Sequence, residues 1–120
     1  MKPEASITLF LELARRFVRE HGVIIVPRAS TERFMRASDV TPLDLETLIL
    51  ALRPCDCFDG PEPDRDPLRS EHWTVAEFRT PWAGRALYLK ISVSTRARRC
   101  KCLSVKPYET KRSTHGFELL

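Results

Sequence analysis

Apolar residues recur at helical spacing along the first part of the chain. The pattern predicts a helix over about residues 6 to 20. Ser6 can cap its start, and Gly22 can end it, because glycine readily adopts the left-handed conformation that often follows a last turn. The predicted core face of this helix consists of Ile7, Phe10, Leu11, Ala14, Phe17 and Val18.

A short strand and two further helices are predicted to follow. Residues 23–26 are an unbroken Val-Ile-Ile-Val run, which favours a short buried strand. Ser30 or Thr31 can cap a short second helix. Thr41 followed by Pro42 predicts the start of a third, because proline at the first helical position loses no hydrogen bond that the helix would have made. The apolar stripe of the third helix is Leu45, Leu48, Ile49 and Leu52.

The second half of the chain is typical of strands joined by turns. Strands are predicted at residues 73–79, 85–94 and 100–105, with a turn at 81–84. Residues 59–70 are rich in proline and charge, which predicts an irregular loop. Helices first and strands later predict a single α+β domain of two layers, in which the N-terminal helices pack on one face of a mostly antiparallel sheet.

Strand alternation predicts which side chains face solvent. In residues 85–94 the odd positions are apolar and face the helices, so Tyr88 and Lys90 share the open face of the sheet. If this strand and the last one pair as a hairpin across residues 95–99, Tyr88, Lys90 and Lys106 converge on one surface. The last strand is expected to place Leu103 and Val105 on the core side, and Cys102, Ser104 and Lys106 opposite.

A phenol and two ammonium groups on one surface suit RNA chemistry. Attack of a ribose 2′-hydroxyl on the neighbouring phosphate needs a proton acceptor, cations that stabilise the pentavalent charge, and a proton donor for the leaving oxygen. Tyrosine can also stack on an exposed base. The alternative is a solvated strand face, on which an exposed Tyr-x-Lys has no chemical role.

The charge of the chain is unevenly distributed. The formal net charge is +4, but residues 96–112 carry seven basic side chains and one acidic one, so the remainder is net acidic. Clustered cations attract polyanions, since neutralised phosphates release condensed counterions. A solvated basic face and a docking patch for an acidic protein are the other interpretations. The candidate nucleic-acid contacts are Arg79, Arg96, Arg98, Arg99, Lys101 and His72.

Two Cys-x-Cys pairs raise the question of a metal. Four thiolates can hold zinc in a tetrahedral site, but structural zinc usually uses Cys-x2-Cys spacing. We therefore expect free, mostly buried cysteines and no cofactor, and keep zinc as the alternative. The second pair shares the predicted parity of Lys106, which places it near the open face. The four positions are Cys55, Cys57, Cys100 and Cys102.

The location of the protein and the extent of its fold are also predicted from the sequence. No stretch is long and apolar enough to span a bilayer, and the residues after Met1 lack the pattern of a signal peptide. We therefore expect a cytoplasmic protein with no membrane partner. A flexible C-terminal tail is expected from about residue 109.

The two closing strands resemble those of the motility quorum-sensing regulator (MqsR) family of bacterial toxins. Residues 84–93 are Gly-Arg-Ala-Leu-Tyr-Leu-Lys-Ile-Ser-Val and residues 102–106 are Cys-Leu-Ser-Val-Lys. They are similar to the family's G-x-x-Y-L-K-hydrophobic and hydrophobic-S-F-K segments. Upstream, residues 37–40 with the helix after them, and then Asp56-Cys57-Phe58, are similar to the family's helix and D-F-Y-K segment. The resemblance covers roughly residues 23–108.

The resemblance implies a RelE-like fold and metal-independent, sequence-selective cleavage of messenger RNA (mRNA) by a type II toxin. It also implies a cognate antitoxin protein, with a helix-turn-helix DNA-binding part, that neutralises the toxin. The family's catalytic tyrosine falls on Tyr88 and its C-terminal catalytic lysine on Lys106. The alternative functions are a non-catalytic nucleic-acid-binding module and an interaction or inhibitor protein that uses its basic face.

Two positions depart from the family pattern. A third family lysine falls on Asp59, and a family glutamine falls near Thr74. A carboxylate at residue 59 would oppose the binding of a scissile phosphate, because like charges repel. Either cations elsewhere substitute, for which the candidates are Lys90, Arg79 and His72, or this member has a weak or altered activity.

Overall fold

Within the described residues, three helices lie in the first half of the chain and five strands form one sheet. The computed structural model describes residues 3–109, and the predicted tail after residue 109 lies outside these residues. The helices are α1 Glu4–His21, α2 Ala29–Ala37 and α3 Pro42–Leu50, followed by a single 3-10 turn at Pro54–Asp56. The strands are β1 Val23–Ile25, β2 Cys57–Pro63, β3 Thr74–Trp82, β4 Arg85–Ser94 and β5 Arg99–Pro107.

The sheet has the strand order β1-β5-β4-β3-β2. The short β1 pairs with β5 in parallel, and the other neighbours are antiparallel. One core lies between the helices and the sheet, and it contains the predicted apolar faces of α1, α3 and β4. The predicted α+β class, with N-terminal helices packed on a mostly antiparallel sheet, is therefore confirmed. Among the helices of residues 3–109, none is long and apolar enough to cross a membrane.

Some of the helix ends, but not all, are formed by the capping residues that the sequence predicts. Thr41 caps α3 as predicted: its hydroxyl accepts a hydrogen bond from the Asp44 N–H, and the Asp44 carboxylate accepts one from the Thr41 N–H. Gly22 ends α1 as predicted, with a positive φ of 76°, but its ψ of −175° lies outside the expected left-handed helical region. The predicted caps of the other two helices are wrong, since α1 begins after Pro3 and α2 after Arg28, with no side-chain cap at either.

Thr31 has a different role from the predicted cap. It is fully buried, and its hydroxyl accepts a 3.2 Å hydrogen bond from the backbone N–H of Val105 in β5. The pairing of β1 with β5 ends at Ile25 and Cys102, so the edge of β5 beyond that point is open to other partners. Helix α2 covers this edge, and Thr31 satisfies a strand amide that would otherwise be buried without a partner.

The first half of the predicted loop 59–70 is a strand, which corrects the sequence analysis. Strand β2 runs to Pro63 at the edge of the sheet, with two register irregularities against β3. Proline is tolerated on an edge strand, because its missing N–H removes no bond from an interior ladder. Gly60 permits the close approach of the two strands, since a Cβ there would lie 2.6 Å from the carbonyl oxygen of Val75.

A β-bulge changes the orientation of side chains along β5. Lys90 pairs with Ser104 and Ile91 with Cys102, so Leu103 is an extra residue in the ladder. As a result Cys102 faces the core and is fully buried, while Leu103 lines a cleft on the open face. The prediction that Leu103 lies in the core and Cys102 opposite is therefore wrong. Beyond the bulge the predicted orientations hold, with Val105 buried and Lys106 exposed.

Candidate functional site

Polar side chains from three adjacent strands meet on the open face of the sheet. Tyr88 of β4 lies directly opposite Lys106 of β5 on one side and Arg79 of β3 on the other. Two residues further along β4, Lys90 lies opposite Glu77 of β3. The sheet therefore brings Tyr88, Lys90 and Lys106 together as predicted, and it adds a carboxylate to them.

The phenol of Tyr88 is bound to that carboxylate. Its hydroxyl donates a 2.7 Å hydrogen bond to Oε1 of Glu77. The pKa of Tyr88 is raised above the ordinary value for tyrosine, first by burial of the ring, then by the hydrogen bond to Glu77 and the negative charge of Glu77. Tyr88 is thus a neutral phenol at physiological pH, with its proton already directed at a proton acceptor.

Charges of both signs surround this pair. The Nζ atom of Lys106 lies over the Tyr88 ring, 5.4 Å from its centroid. Arg28, which precedes α2, lowers the pKa of Tyr88 through its positive charge, whereas Asp59 of β2 raises it. Asp59 pairs with Glu77 in the sheet. The residue that departs from the family pattern therefore lies at the site, and it adds negative charge beside Tyr88.

Aromatic rings extend the site toward the edge strand. Phe58 of β2 is 43% exposed. Its ring centroid lies 6.1 Å from that of Tyr88 and 5.9 Å from that of Tyr108, with the last pair arranged edge to face. The guanidinium of Arg79 covers the Tyr108 ring at 5.0 Å. An exposed aromatic beside guanidinium groups is the type of surface on which nucleic-acid bases stack.

Two clefts flank Tyr88. The first, of about 770 Å³, is lined by Arg53, Phe58, Arg79, Arg85 and Tyr108, together with neighbouring residues of β2 to β4. We call it the arginine cleft. The second, of about 380 Å³, is lined by charges of both signs, and of the residues at the site it includes Glu77 and Lys90. Its charged lining residues are Arg28, Glu62, Asp64, Arg65, Arg69, Glu77 and Lys90.

Lys106 is the member of the basic run 96–112 that lies beside Tyr88, whereas the basic residues of 96–101 lie at the turn end of the β4–β5 hairpin. In the β4–β5 hairpin Tyr88 pairs with Lys106, whereas Ser94 pairs with Arg99 next to the turn. Six residues of strand separate these two places, a distance of about 20 Å. A ligand would have to extend along the hairpin, as an RNA strand could, to contact both Tyr88 and the residues next to the turn. Lys111 and Arg112 lie outside the described residues.

The members of this run have separate local contacts. Arg98 forms an ion pair with Glu20 of α1, at 2.9 Å, so it joins the hairpin turn to the helical layer. Arg96 lies 3.0 Å from His72 Nε2, and Lys101 lies over the ring of Trp73, 4.1 Å from its centroid. Arg99 is half-buried, and its Nε atom has no hydrogen-bond partner within the described part of the chain. His72 is thus not a neighbour of Tyr88.

The four cysteines do not gather at one point. All four are free, Cys55 is exposed and the other three are buried, as expected for free and mostly buried thiols. Cys57 is on β2, and Cys100 and Cys102 are on β5, which are separated by three strand spacings, about 14 Å. Residues 3–109 contain no group of three or more His, Cys, Asp or Glu side chains that could hold a metal ion. The expected proximity of Cys100 and Cys102 to Lys106 is wrong, because the bulge turns both into the core.

Sequence reasoning missed the carboxylate of the site. A two-residue Ala83–Gly84 turn joins β3 to β4, and it sets the register in which Glu77 lies diagonal to Tyr88. The predicted four-residue turn did not define that register. Thr74, expected near the site, pairs with Val93 at the far end of the hairpin. A shorter turn, placed at the only glycine of the segment, would have identified Glu77.

Comparison with known proteins adds no relative. No family model, no curated protein and no solved structure matches the chain.

Proposed function

We propose that the protein cleaves single-stranded mRNA as a metal-independent endoribonuclease and acts as the toxin of a toxin-antitoxin pair. The observation that carries the chemical part of this proposal is the arrangement of Glu77, Tyr88 and Lys106 on three adjacent strands. They supply a proton acceptor, a polarised hydroxyl and a cation within one surface. These are the groups that transesterification of RNA requires.

Glu77 and Tyr88 act together on the attacking group. The ribose 2′-oxygen attacks phosphorus as its proton passes to the Tyr88 oxygen, and Tyr88 gives its own proton to Oε1 of Glu77. The raised pKa of Tyr88 suits this role, because the ring does not remain a phenolate and the proton is passed on to the carboxylate. Tyr88 also fixes the direction of transfer, since its hydroxyl already points at Glu77.

Lys106 completes the reaction on the leaving side. The bond between phosphorus and the 5′-oxygen breaks, and this oxygen takes a proton from the Lys106 ammonium. The products are a 2′,3′-cyclic phosphate and a 5′-hydroxyl, and solvent returns the proton from Glu77 to Lys106. Arg79 and Lys90, which flank Tyr88 and Glu77, stabilise the charge of the pentavalent phosphorus.

The toxin role is supported by the resemblance of the closing strands to the MqsR family. The family's tyrosine and lysine fall on Tyr88 and Lys106, and these two side chains lie directly opposite each other in the sheet. The α+β architecture agrees with a RelE-like fold. A toxin of this class requires a cognate antitoxin, and we propose that a neighbouring gene encodes one with a helix-turn-helix part.

Incubation of the purified protein with end-labelled single-stranded RNA in EDTA tests the chemistry. We expect cleavage that leaves 2′,3′-cyclic phosphate ends, and its loss in both Tyr88→Phe and Lys106→Ala. Glu12→Gln on α1, far from the site, serves as a control for the loss of one surface carboxylate. Intact RNA with folded wild-type protein would refute the enzymatic function. Salt-dependent retention of uncut RNA would then assign a binding module, and no retention would favour an interaction protein.

Expression in bacteria tests the toxin role separately. Induced wild-type protein should arrest growth and Tyr88→Phe should not, at equal protein levels. Co-expression of the antitoxin gene should restore growth. If cells that express a protein active in RNA cleavage grow normally, the protein is an endoribonuclease but not a toxin.

A further inference from the structure

The arginine cleft lies next to Glu77, Tyr88 and Lys106, and it shares Arg79 with the proposed reaction. It is bordered by the 3-10 turn, β2 and the β3–β4 hairpin, and Tyr108 closes one side. The ring of Phe58 connects it to Tyr88, at 6.1 Å between centroids. A ligand in this cleft would therefore be continuous with a ligand at Tyr88.

The charge of the cleft favours an anion. Arg53, Arg79 and Arg85 are its cations, all three exposed, and Asp56 is its acidic lining residue. The Asp56 carboxylate is already paired: it accepts hydrogen bonds from the backbone N–H and the guanidinium of Arg53, at 2.9 and 3.2 Å. Arg79 and Arg85 therefore remain as the cations available to an incoming phosphate. The second cleft, with its mixed charges, offers no comparable field.

The aromatic groups of the cleft favour a base. Arg79 already covers the Tyr108 ring, and Tyr108 supports Phe58 edge to face. Phe58 remains 43% exposed, although burial of an aromatic side chain would stabilise the fold. An exposed phenylalanine between an arginine pair and a tyrosine offers a stacking surface to any of the four bases.

We propose that the arginine cleft is a nucleotide subsite for single-stranded RNA, and this rests on the proposed function. The base of the nucleotide next to the scissile bond stacks on Phe58, and Arg85 binds the phosphate that follows it, while Arg79 lies between this phosphate and the scissile one. Single-stranded RNA fits because its bases can be splayed out onto aromatic side chains, whereas the bases of a duplex are stacked on one another. The subsite positions the substrate through its backbone and one base face, without base-edge contacts.

Binding can be measured without cleavage in the Tyr88→Phe background. Fluorescence anisotropy with a labelled ten-nucleotide single-stranded RNA gives the affinity over a series of salt concentrations. We expect Phe58→Ala to weaken binding about tenfold with an unchanged salt slope, because it removes stacking and no charge. Arg85→Ala should weaken binding and reduce the slope of log affinity against log salt by about 0.7, the contribution of one phosphate contact on a single strand.

Matched controls come from the helical layer. Leu9→Ala removes an exposed apolar side chain and Arg16→Ala an exposed arginine, both on α1. We expect neither to change affinity by as much as twofold. An RNA of the same length with abasic sites throughout should bind the Tyr88→Phe protein more weakly and should not respond to Phe58→Ala.

The outcomes separate this subsite from the proposed reaction. Unchanged affinity in folded Phe58→Ala and Arg85→Ala would overturn the subsite, even if the wild-type protein cleaves RNA. The expected losses in a protein that does not cleave RNA would support the subsite and refute the endoribonuclease. Preferential binding of a labelled poly-glutamate peptide over RNA would overturn the subsite in favour of an acidic protein partner.

Discussion

Tyr88 and Glu77 lie diagonally across the β3–β4 ladder, and the phenol donates its proton toward the carboxylate. This direction of the hydrogen bond makes Glu77 the proton acceptor in the proposed reaction. Glu77→Gln keeps an oxygen that accepts the same hydrogen bond but removes the basicity, so we expect RNA cleavage to fall by about 10²- to 10⁴-fold, the usual contribution of a general base. Single-turnover rates with labelled RNA measure the loss. Glu12→Gln should retain the full rate, and an equally active Glu77→Gln protein would show that Tyr88 acts without this acceptor.

The ionisation of Tyr88 can be observed directly. Because burial and Glu77 raise its pKa, Tyr88 should become a tyrosinate only at a pH well above that of a free tyrosine. The difference in absorbance at the tyrosinate band between wild type and Tyr88→Phe reports this titration. Glu77→Gln should lower the midpoint, since it removes a negative charge. A midpoint at the ordinary tyrosine value in the folded wild type would contradict the described burial and hydrogen bond.

Asp59 is expected to limit activity. Its charge adds to that of Glu77 beside Tyr88, where the phosphate of the proposed RNA substrate would bind. Removing the charge with Asp59→Asn should improve RNA cleavage about fivefold, which corresponds to roughly 1 kcal/mol of repulsion near a protein surface. Asp59→Lys, which adds the cation of the family pattern, should improve it further. Values of kcat/KM at low salt are the measurement, and a decrease in both variants would assign Asp59 a supporting role instead.

The β3–β4 turn carries a strained residue. Ala83 has a positive φ of 50° and Gly84 one of 77°, the combination of a type I′ turn, which favours glycine or asparagine at both positions. Ala83→Gly should therefore stabilise the protein by about 0.5–1 kcal/mol and raise Tm by about 4 °C. Ala97 lies in the β4–β5 turn without a positive φ, and Ala97→Gly should lower Tm or leave it unchanged. Thermal unfolding followed by circular dichroism compares the two, and a lower Tm for Ala83→Gly would refute the turn conformation.

Because two thiols are buried, we expect the free energy of unfolding to decrease at alkaline pH. Burial raises the pKa of Cys100 and of Cys102 to about 12. Above the ordinary thiol value near pH 9 the unfolded chain releases these protons while the folded chain keeps them, so the stability is complete below pH 9 and falls as the pH rises toward 12. The free energy of unfolding should decrease by roughly 1 kcal/mol per pH unit for each thiol. Urea denaturation at pH 8 and pH 10 measures the effect. Cys55→Ser, at an exposed position, should show the same dependence as wild type, and a pH-independent stability would contradict the burial.

The fold was largely predictable because its hydrophobic periods are regular. The helical stripe of α1 and the alternation around Leu89 each have one interpretation, and both lie in the core as expected. Strand β2 was missed, since Pro61 and Pro63 are common in loops and are tolerated in a strand only at a sheet edge. The edge position is a property of the whole sheet, which local sequence does not contain.

The site was predictable to the extent that it depends on one hairpin. Tyr88 and Lys106 face each other because alternation and antiparallel pairing apply to both strands. Glu77 depends on the exact length of the turn at Ala83, and Phe58 on the unexpected strand β2. The positions of both side chains depend on the register of strand pairing. An error of one residue in that register moves a side chain to the opposite face of the sheet.

The extra residue at Leu103 divides β5 into two halves of opposite phase. Before it, the even-numbered cysteines point to the helices, and after it the even-numbered Lys106 points to solvent. Deletion of Leu103 would place either the Lys106 ammonium in the core or the Cys100 and Cys102 thiols on the surface. Either arrangement would disrupt one end of the hairpin. A single strand can therefore contribute to the core at its start and present a charged side chain to solvent at its end.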